Sequence, residues 1–175
     1  MTGPEPAIRR ATAADAAALA EFAARVFRAV YGGCNDPADI DLHVGRNFAT
    51  SLQEAEIAAP GCCYLLALES AAIVGYACLQ QGAAHPAAPG PMPCELRRFY
   101  VDPARHGRGV AALLMAAAVR EAQSAGARTL WLLAWEHYPR ARRFYAKQGF
   151  ADVGQTTFVL GRSAQTDRLL VRALD

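Results

Sequence analysis

The chain has 175 residues, 53% of them hydrophobic and 19% charged, which excludes a disordered chain and suits one domain able to bury its own core. Its net charge of +2 argues against a dedicated nucleic-acid binder, and no apolar stretch approaches the length that spans a bilayer. Alanine makes up roughly a fifth of the residues, and Lys147 is the sole lysine among 18 basic residues.

Ile8–Ala11 reads as a short first strand. Thr12-Ala-Ala-Asp15 resembles a capping box, and Leu19, Phe22, Val26, Phe27 and Val30 follow at helical spacing. Gly32-Gly33 ends that helix. Residues 37–48 predict a second helix, and Ser51-Leu-Gln-Glu54 predicts a second capping box opening a short third one. The period then changes. Tyr64–Leu68 and Ile73–Leu79 read as a hairpin turning at Glu69-Ser70. Residues 82–93, with Pro86, Pro89, Pro91 and Pro93, predict an exposed loop. A strand over 95–101, an Ala/Leu/Met helix over 110–125 ended by Gly126, and a strand over 129–135 come next. Pro139 opens a helix that Gly149 ends. Strands over 151–160 and 168–173 complete an α/β chain with a mixed, mostly antiparallel sheet.

The five cysteines (Cys34, Cys62, Cys63, Cys78, Cys94) are odd in number and form no C-x-x-C, so they predict a reduced, cytoplasmic protein rather than a disulfide scaffold. The four histidines are too scattered for a metal site. The N-terminal MTGPEPAIRR has no apolar core of a signal peptide. Charge is unevenly divided: residues up to Glu69 carry about −4, and those from Ser70 onward about +6.

The most informative stretch joins the strand over 95–101 to the following helix through Asp102-Pro-Ala-Arg105-His106-Gly107-Arg108-Gly109. Glycines there let a ligand approach the backbone, and the free N–H groups of the helix's first turn make a seat for phosphate, with Arg105 and Arg108 adding charge. Gly107-x-Gly109-x-x-Ala112 also fits the dinucleotide fingerprint, with Glu136 as the ribose acid, and an ordinary glycine turn is a third reading. Against the dinucleotide reading, several residues separate strand from turn, and a hairpin precedes them.

His106-Gly-Arg-Gly-Val-Ala111 resembles motif A of the GNAT superfamily of N-acetyltransferases. Residues 135–150, with Phe144-Tyr145-Ala-Lys147-Gln-Gly149-Phe150, are similar to its motif B. The resemblance covers nearly the whole chain: acceptor-side helices over about 12–60, motif A over about 95–125 and motif B over about 129–150. It implies one domain, 1–175, whose splayed sheet holds acetyl-CoA. The stretch around Tyr31-Gly32, Asn35 and residues 158–167 narrows it to the PaiA-like branch and its polyamine acceptors.

The resemblance implies transfer of an acetyl group from acetyl-CoA to a small-molecule amine, without a metal, nucleic acid or membrane. A homodimer stays open. Glu95 is the candidate general base, acting through water, with pairing to Arg97 or Arg98 as the alternative; Tyr145 is the candidate acid for the leaving thiolate. Phe99, Tyr100 and Val101 would pair with the pantetheine arm, and His106, Gly107, Arg108, Gly109, Val110, Ala111 and Ala112 would hold the phosphates. Tyr138 stands where the family usually has Asn, and His137 reads as a surface residue rather than a base. The acceptor site is expected from the N-terminal helices and the Pro-rich loop, with Asp36, Asp39, Asp41, Glu54 and Glu56 as candidate ammonium ligands and Tyr31 as an aromatic face. Protein N-terminal or lysine acetylation, or an acyl-CoA-binding regulator, are the alternatives.

Overall fold

The computed structural model describes residues 6–175. The N-terminal stretch searched for a signal lies partly outside them. The strands are β1 (Ala7–Arg10), β2 (Cys62–Glu69), β3 (Ala72–Gln81), β4 (Pro93–Val101), β5 (Thr129–Trp135), β6 (Ala151–Leu160) and β7 (Ser163–Ala173). The helices are α1 (Ala16–Tyr31), α2 (Pro37–Asn47), α3 (Thr50–Ala58), α4 (Val110–Ser124) and α5 (Pro139–Lys147). One sheet runs β1-β2-β3-β4-β5-β7-β6, antiparallel at every pairing except the parallel β4–β5. This is the mixed, mostly antiparallel sheet that the sequence predicts.

Both faces of the central strands are covered, which is why β2 and β3 read as continuous apolar runs rather than alternating ones. Leu19, Phe22, Val26 and Phe27 of α1 and Ile40 and Val44 of α2 pack on one face. Leu114, Met115, Ala118 and Ala122 of α4 pack on the other. The first capping box forms: the Asp15 carboxylate accepts from the Thr12 N–H at 2.8 Å and holds Arg9 at 2.7 Å. The second does not. Ala49 caps α3, and its carbonyl accepts the Leu52 and Gln53 N–H groups, which puts Ser51 inside the first turn. The β2–β3 turn falls on Ser70-Ala71, one residue later than predicted; both have positive φ (47° and 69°), which matches the twist of a hairpin.

β4 and β5 pair only from Pro93–Glu95 to Thr129–Trp131. Beyond that, β4 follows β3 to Val101 while β5 follows β7 to Trp135, and the sheet opens as a wedge. A bulge contributes: Cys78 faces Arg98 and Leu79 faces Leu96, so Arg97 has no partner on β3.

The Pro-rich loop lies at the opposite end of the wedge and is no acceptor wall. It is tied to the closed ends of β4 and β5, where Trp131 Nε1 donates to Ala83 O (2.8 Å) and Thr129 Oγ1 to Pro91 O (2.9 Å). The β6–β7 hairpin instead packs against α2. The buried Asp39 of α2 accepts from the Arg162 N–H (2.9 Å), Arg162 Nε (3.1 Å) and Ser163 Oγ (2.5 Å), latching the hairpin to the helix. Gly161 makes that contact possible. Its φ is +60°, and a Cβ there would stand 2.5 Å from Asp39 Cα. β7 begins at Ser163 rather than 168, because the polar stretch 163–167 pairs with β6 along its whole length.

Candidate active site

A cavity of about 360 Å³ fills the wedge, between β4, β5, the turn before α4 and α5. The turn is built by capping. Asp102 accepts from the Ala104 N–H (2.9 Å) and holds Arg25 (2.9 Å). The His106 N–H donates to Pro103 O and the Arg108 N–H to Arg105 O, so these two amides are spent inside the turn. Gly107 (φ +79°) and Gly109 (φ +82°) then bend the chain into α4, with no atom within 4 Å of where a Cβ would stand. The first helical bond runs from the Leu113 N–H to Gly109 O at 3.1 Å, which leaves the Val110, Ala111 and Ala112 amides without an intrahelical acceptor. Open space, amides without partners and the positive end of a 15-residue helix fit a phosphate or pyrophosphate.

Of the residues expected to hold a cofactor, Phe99, Tyr100, Val101, His106, Gly107, Gly109, Ala111, Ala112 and Tyr138 line this cavity. The Arg108 and Val110 side chains do not; Val110 is buried in the core and can serve only through its backbone. The His106 ring sits with Nε2 3.2 Å from Val101 O. Burial, aided by Arg140, lowers its pKa, so it is neutral near pH 7. The sequence reading missed Arg140, which lines the cavity, and expected Arg105 to add positive charge; Arg105 lines the cavity too but is neutralised by Glu69 at 2.6 Å. Past Glu95 the edge of β4 facing β5 has no ladder partner, and its backbone groups face the wedge.

Tyr145 also lines the cavity, edge-on to Phe99 and Phe150. Burial pushes its hydroxyl well above the ordinary phenol range, so it keeps its proton at every physiological pH.

A second cavity of about 250 Å³ lies across the wall from the first, lined by α1, α2, β4, β5 and the β6–β7 hairpin. Tyr31, Arg97, Arg98, Tyr100, Leu133 and Trp135 line both. Glu95 belongs to this second cavity, with its carboxylate 3.4 Å from Arg97 Nε. Arg98 is held by Glu56 at 2.5 Å and by the Tyr64 hydroxyl, with its guanidinium over the Phe48 ring. Burial works against the Glu56 charge, yet the Arg98 and Tyr64 hydrogen bonds bring its pKa below the ordinary value. His43 stacks on Phe27, and burial with the nearby Arg98 lowers its pKa to about 4. Asp167 is buried in the same wall, and its Oδ1 has no hydrogen-bond partner. Burial first, and Glu136 second, raise its pKa to about 6.

None of the five expected ammonium ligands reaches either cavity. Asp36 caps α2 (Ala38 N–H, 2.8 Å), Asp39 latches the hairpin, Asp41 pairs with Arg28 (2.6 Å), Glu54 is exposed and Glu56 braces Arg98. Tyr31 lines both cavities, and the His137 side chain is 71% exposed. Asp167 and His43 were not anticipated as site residues. The faint signal for Asp167 was a lone acid before the apolar run Leu169-Leu170-Val171.

The sheet is thus split between two parallel strands, with free helix-N-terminal amides at the mouth of the split, the Tyr145 side chain inside it and a cavity on either side. The acetyltransferase (GNAT) family matches residues 19–150, and the chain belongs to that family. It is 35% identical over 160 residues to an uncharacterized N-acetyltransferase of Mycobacterium tuberculosis, covering 91% of this chain and 98% of the relative. Among solved structures it is similar to the PaiA N-acetyltransferase of Thermoplasma acidophilum in complex with coenzyme A (17% identity, TM-score 0.79, 97% and 99% of the two chains). The yncA protein of Salmonella typhimurium with its cofactor acetyl-CoA is also similar (21%, TM-score 0.66, 98% and 95%). Among the described residues no helix is long and apolar enough to cross a membrane, and no cluster of side chains is suited to a metal ion.

Proposed function

We propose that the protein transfers the acetyl group of acetyl-CoA to the primary amine of a small molecule, with polyamine-like acceptors preferred. The observation that carries this reading is the pair of cavities sharing one wall: an anion cradle opens on one side and two carboxylates on the other. The solved relatives with coenzyme A and acetyl-CoA support the donor. The amides of Gly107, Gly109 and Val110–Ala112 would take the pyrophosphate, with Arg140 nearby, and the open edge of β4 at Phe99–Val101 the pantetheine arm.

Acetyl-CoA supplies the activated acetyl thioester and leaves as the thiol. The chain's own residues manage protons. An alkyl ammonium has a pKa near 10.4, so it must be deprotonated before it can attack. Glu95, on the acceptor side of the wall, takes that proton through water. Tyr145, kept protonated by its burial, gives a proton to the departing sulfur. A latched cavity of about 250 Å³ suits a slender amine better than a polypeptide.

The test is an amine panel with acetyl-CoA, following thiol release and identifying the product. Acetylation of spermidine and alkyl diamines ahead of peptides is the expected result. Coenzyme A binding without transfer to any amine would overturn the reading, and faster transfer to peptide N-termini would replace the acceptor class.

A further inference from the structure

Asp167 is an exception among the buried carboxylates of the described residues. Asp39 is saturated by Arg162 and Ser163, and Glu56 faces Arg98 and Tyr64. Asp167 is 7% exposed, yet its Oδ1 is without a partner. A buried, unpaired carboxylate is costly, and folds rarely keep one unless something arrives to pair with it.

Its place in the fold says what arrives. Asp167 lines the second cavity and stands on β7 opposite Trp135 of β5, and Trp135 and Tyr31 line both cavities, so the carboxylate lies beside the wall that the two share. The surrounding walls include the rings of Tyr31, Tyr100, Trp135 and Phe158, whose π faces favour a cation. The other charges facing this cavity are committed or absent. Glu95 is paired with Arg97 and Arg98 with Glu56, while His43 is neutral at physiological pH. Glu136 sits close enough to oppose the Asp167 charge further. One uncompensated negative charge is left, in an aromatic pocket.

We propose that the Asp167 carboxylate is the seat of the acceptor's ammonium group and determines the preference for cationic aliphatic amines over neutral or guanidinium-bearing acceptors. This rests on the amine-acetyltransferase reading. A compact ammonium on a slim alkyl chain supplies the N–H donors that Oδ1 lacks, and the rings enclose the chain. The seat is separate in role from Glu95, which handles the proton.

The test compares wild type, Asp167→Asn and Asp167→Glu in steady-state kinetics with n-butylamine and 1,4-diaminobutane. Calorimetric titration of 1,4-diaminobutane into the enzyme–coenzyme A complex accompanies it, and far-UV circular dichroism checks each fold. Asn keeps the shape and removes the charge. The expected result is an amine KM raised about ten- to a hundredfold in Asp167→Asn, falling on KM rather than kcat, with the KM for acetyl-CoA within about twofold and partial recovery in Asp167→Glu. An amine KM unchanged in a folded Asp167→Asn overturns the proposal while leaving the transferase reading intact. If wild type acetylates no amine, that reading fails, and calorimetry decides alone: diamine binding lost in Asp167→Asn supports the seat, and equal or absent binding overturns it.

Discussion

Replacing Asp167 by Asn should stabilise the protein, and only above a certain pH. The folded state holds the Asp167 proton to about pH 6, against a value near 3.9 in an unfolded chain. A carboxylate whose folded pKa is raised favours folding where it is protonated. The benefit is complete below about pH 4 and is lost as pH rises through 6. Two pKa units correspond to at most about 3 kcal/mol, and solvent at the cavity mouth screens part of this, leaving about 1–2 kcal/mol. Asn does not titrate and avoids the cost. Thermal melts of wild type and Asp167→Asn from pH 4 to pH 8 should therefore diverge as pH rises. The variant should melt about 3–6 °C higher at pH 8 and within about 1 °C of wild type at pH 4. Other titrations common to both proteins cancel in the difference. A gain of equal size at both pH values, or a lower Tm at pH 8, would refute the assignment of an uncompensated charge at this position.

Tyr145→Phe should lower kcat by about a hundredfold with little change in the KM for acetyl-CoA; an unchanged rate across pH would remove Tyr145 as the acid. Gly109→Ala has space for its Cβ but must hold φ at +82°, at about 1–2 kcal/mol, so a folded variant should show a raised KM for acetyl-CoA and an unaltered amine KM. Gly161→Ala forces a methyl against Asp39 Cα and should cost about 3 kcal/mol in chemical denaturation. Among molecules that still fold, the amine KM should rise while that for acetyl-CoA holds.

The glycine turn and the α5 residues that line the first cavity were largely legible because their signals are local. Two glycines before an apolar helix, a proline opening α5 and an aromatic pair in one turn declare themselves within a few residues. The wedge was legible only through the family resemblance, since it depends on β5 leaving β4 after Trp131 and on a bulge at Arg97. The carboxylates of the second cavity were not among the expected ammonium ligands, for a physical reason. The acidic first half of the chain suggested a cation site, but Asp15, Asp39, Asp41, Glu56 and Glu69 are each spent on an arginine. Three of those arginines, Arg162, Arg98 and Arg105, come from the basic half, so much of the charge division is internal neutralisation across the fold. The carboxylates that do line the second cavity, Glu95 and Asp167, come from the basic half too. Asp167 was hidden because residues 163–167 fall before the strand expected over 168–173, and only their pairing with β6 makes them part of it. The Pro-rich loop misled in the opposite sense: its composition announced a loop, and nothing local said at which end of the sheet it would fold.

The central claim is direct transfer across the wall shared by the two cavities. Acetyl-CoA labelled in its acetyl carbon, incubated with the protein and 1,4-diaminobutane, tests it most directly by mass spectrometry of the amine. The account predicts labelled N-acetyldiamine formed in step with thiol release. Thiol release with the label recovered only as acetate, or no consumption of acetyl-CoA at all, would contradict it.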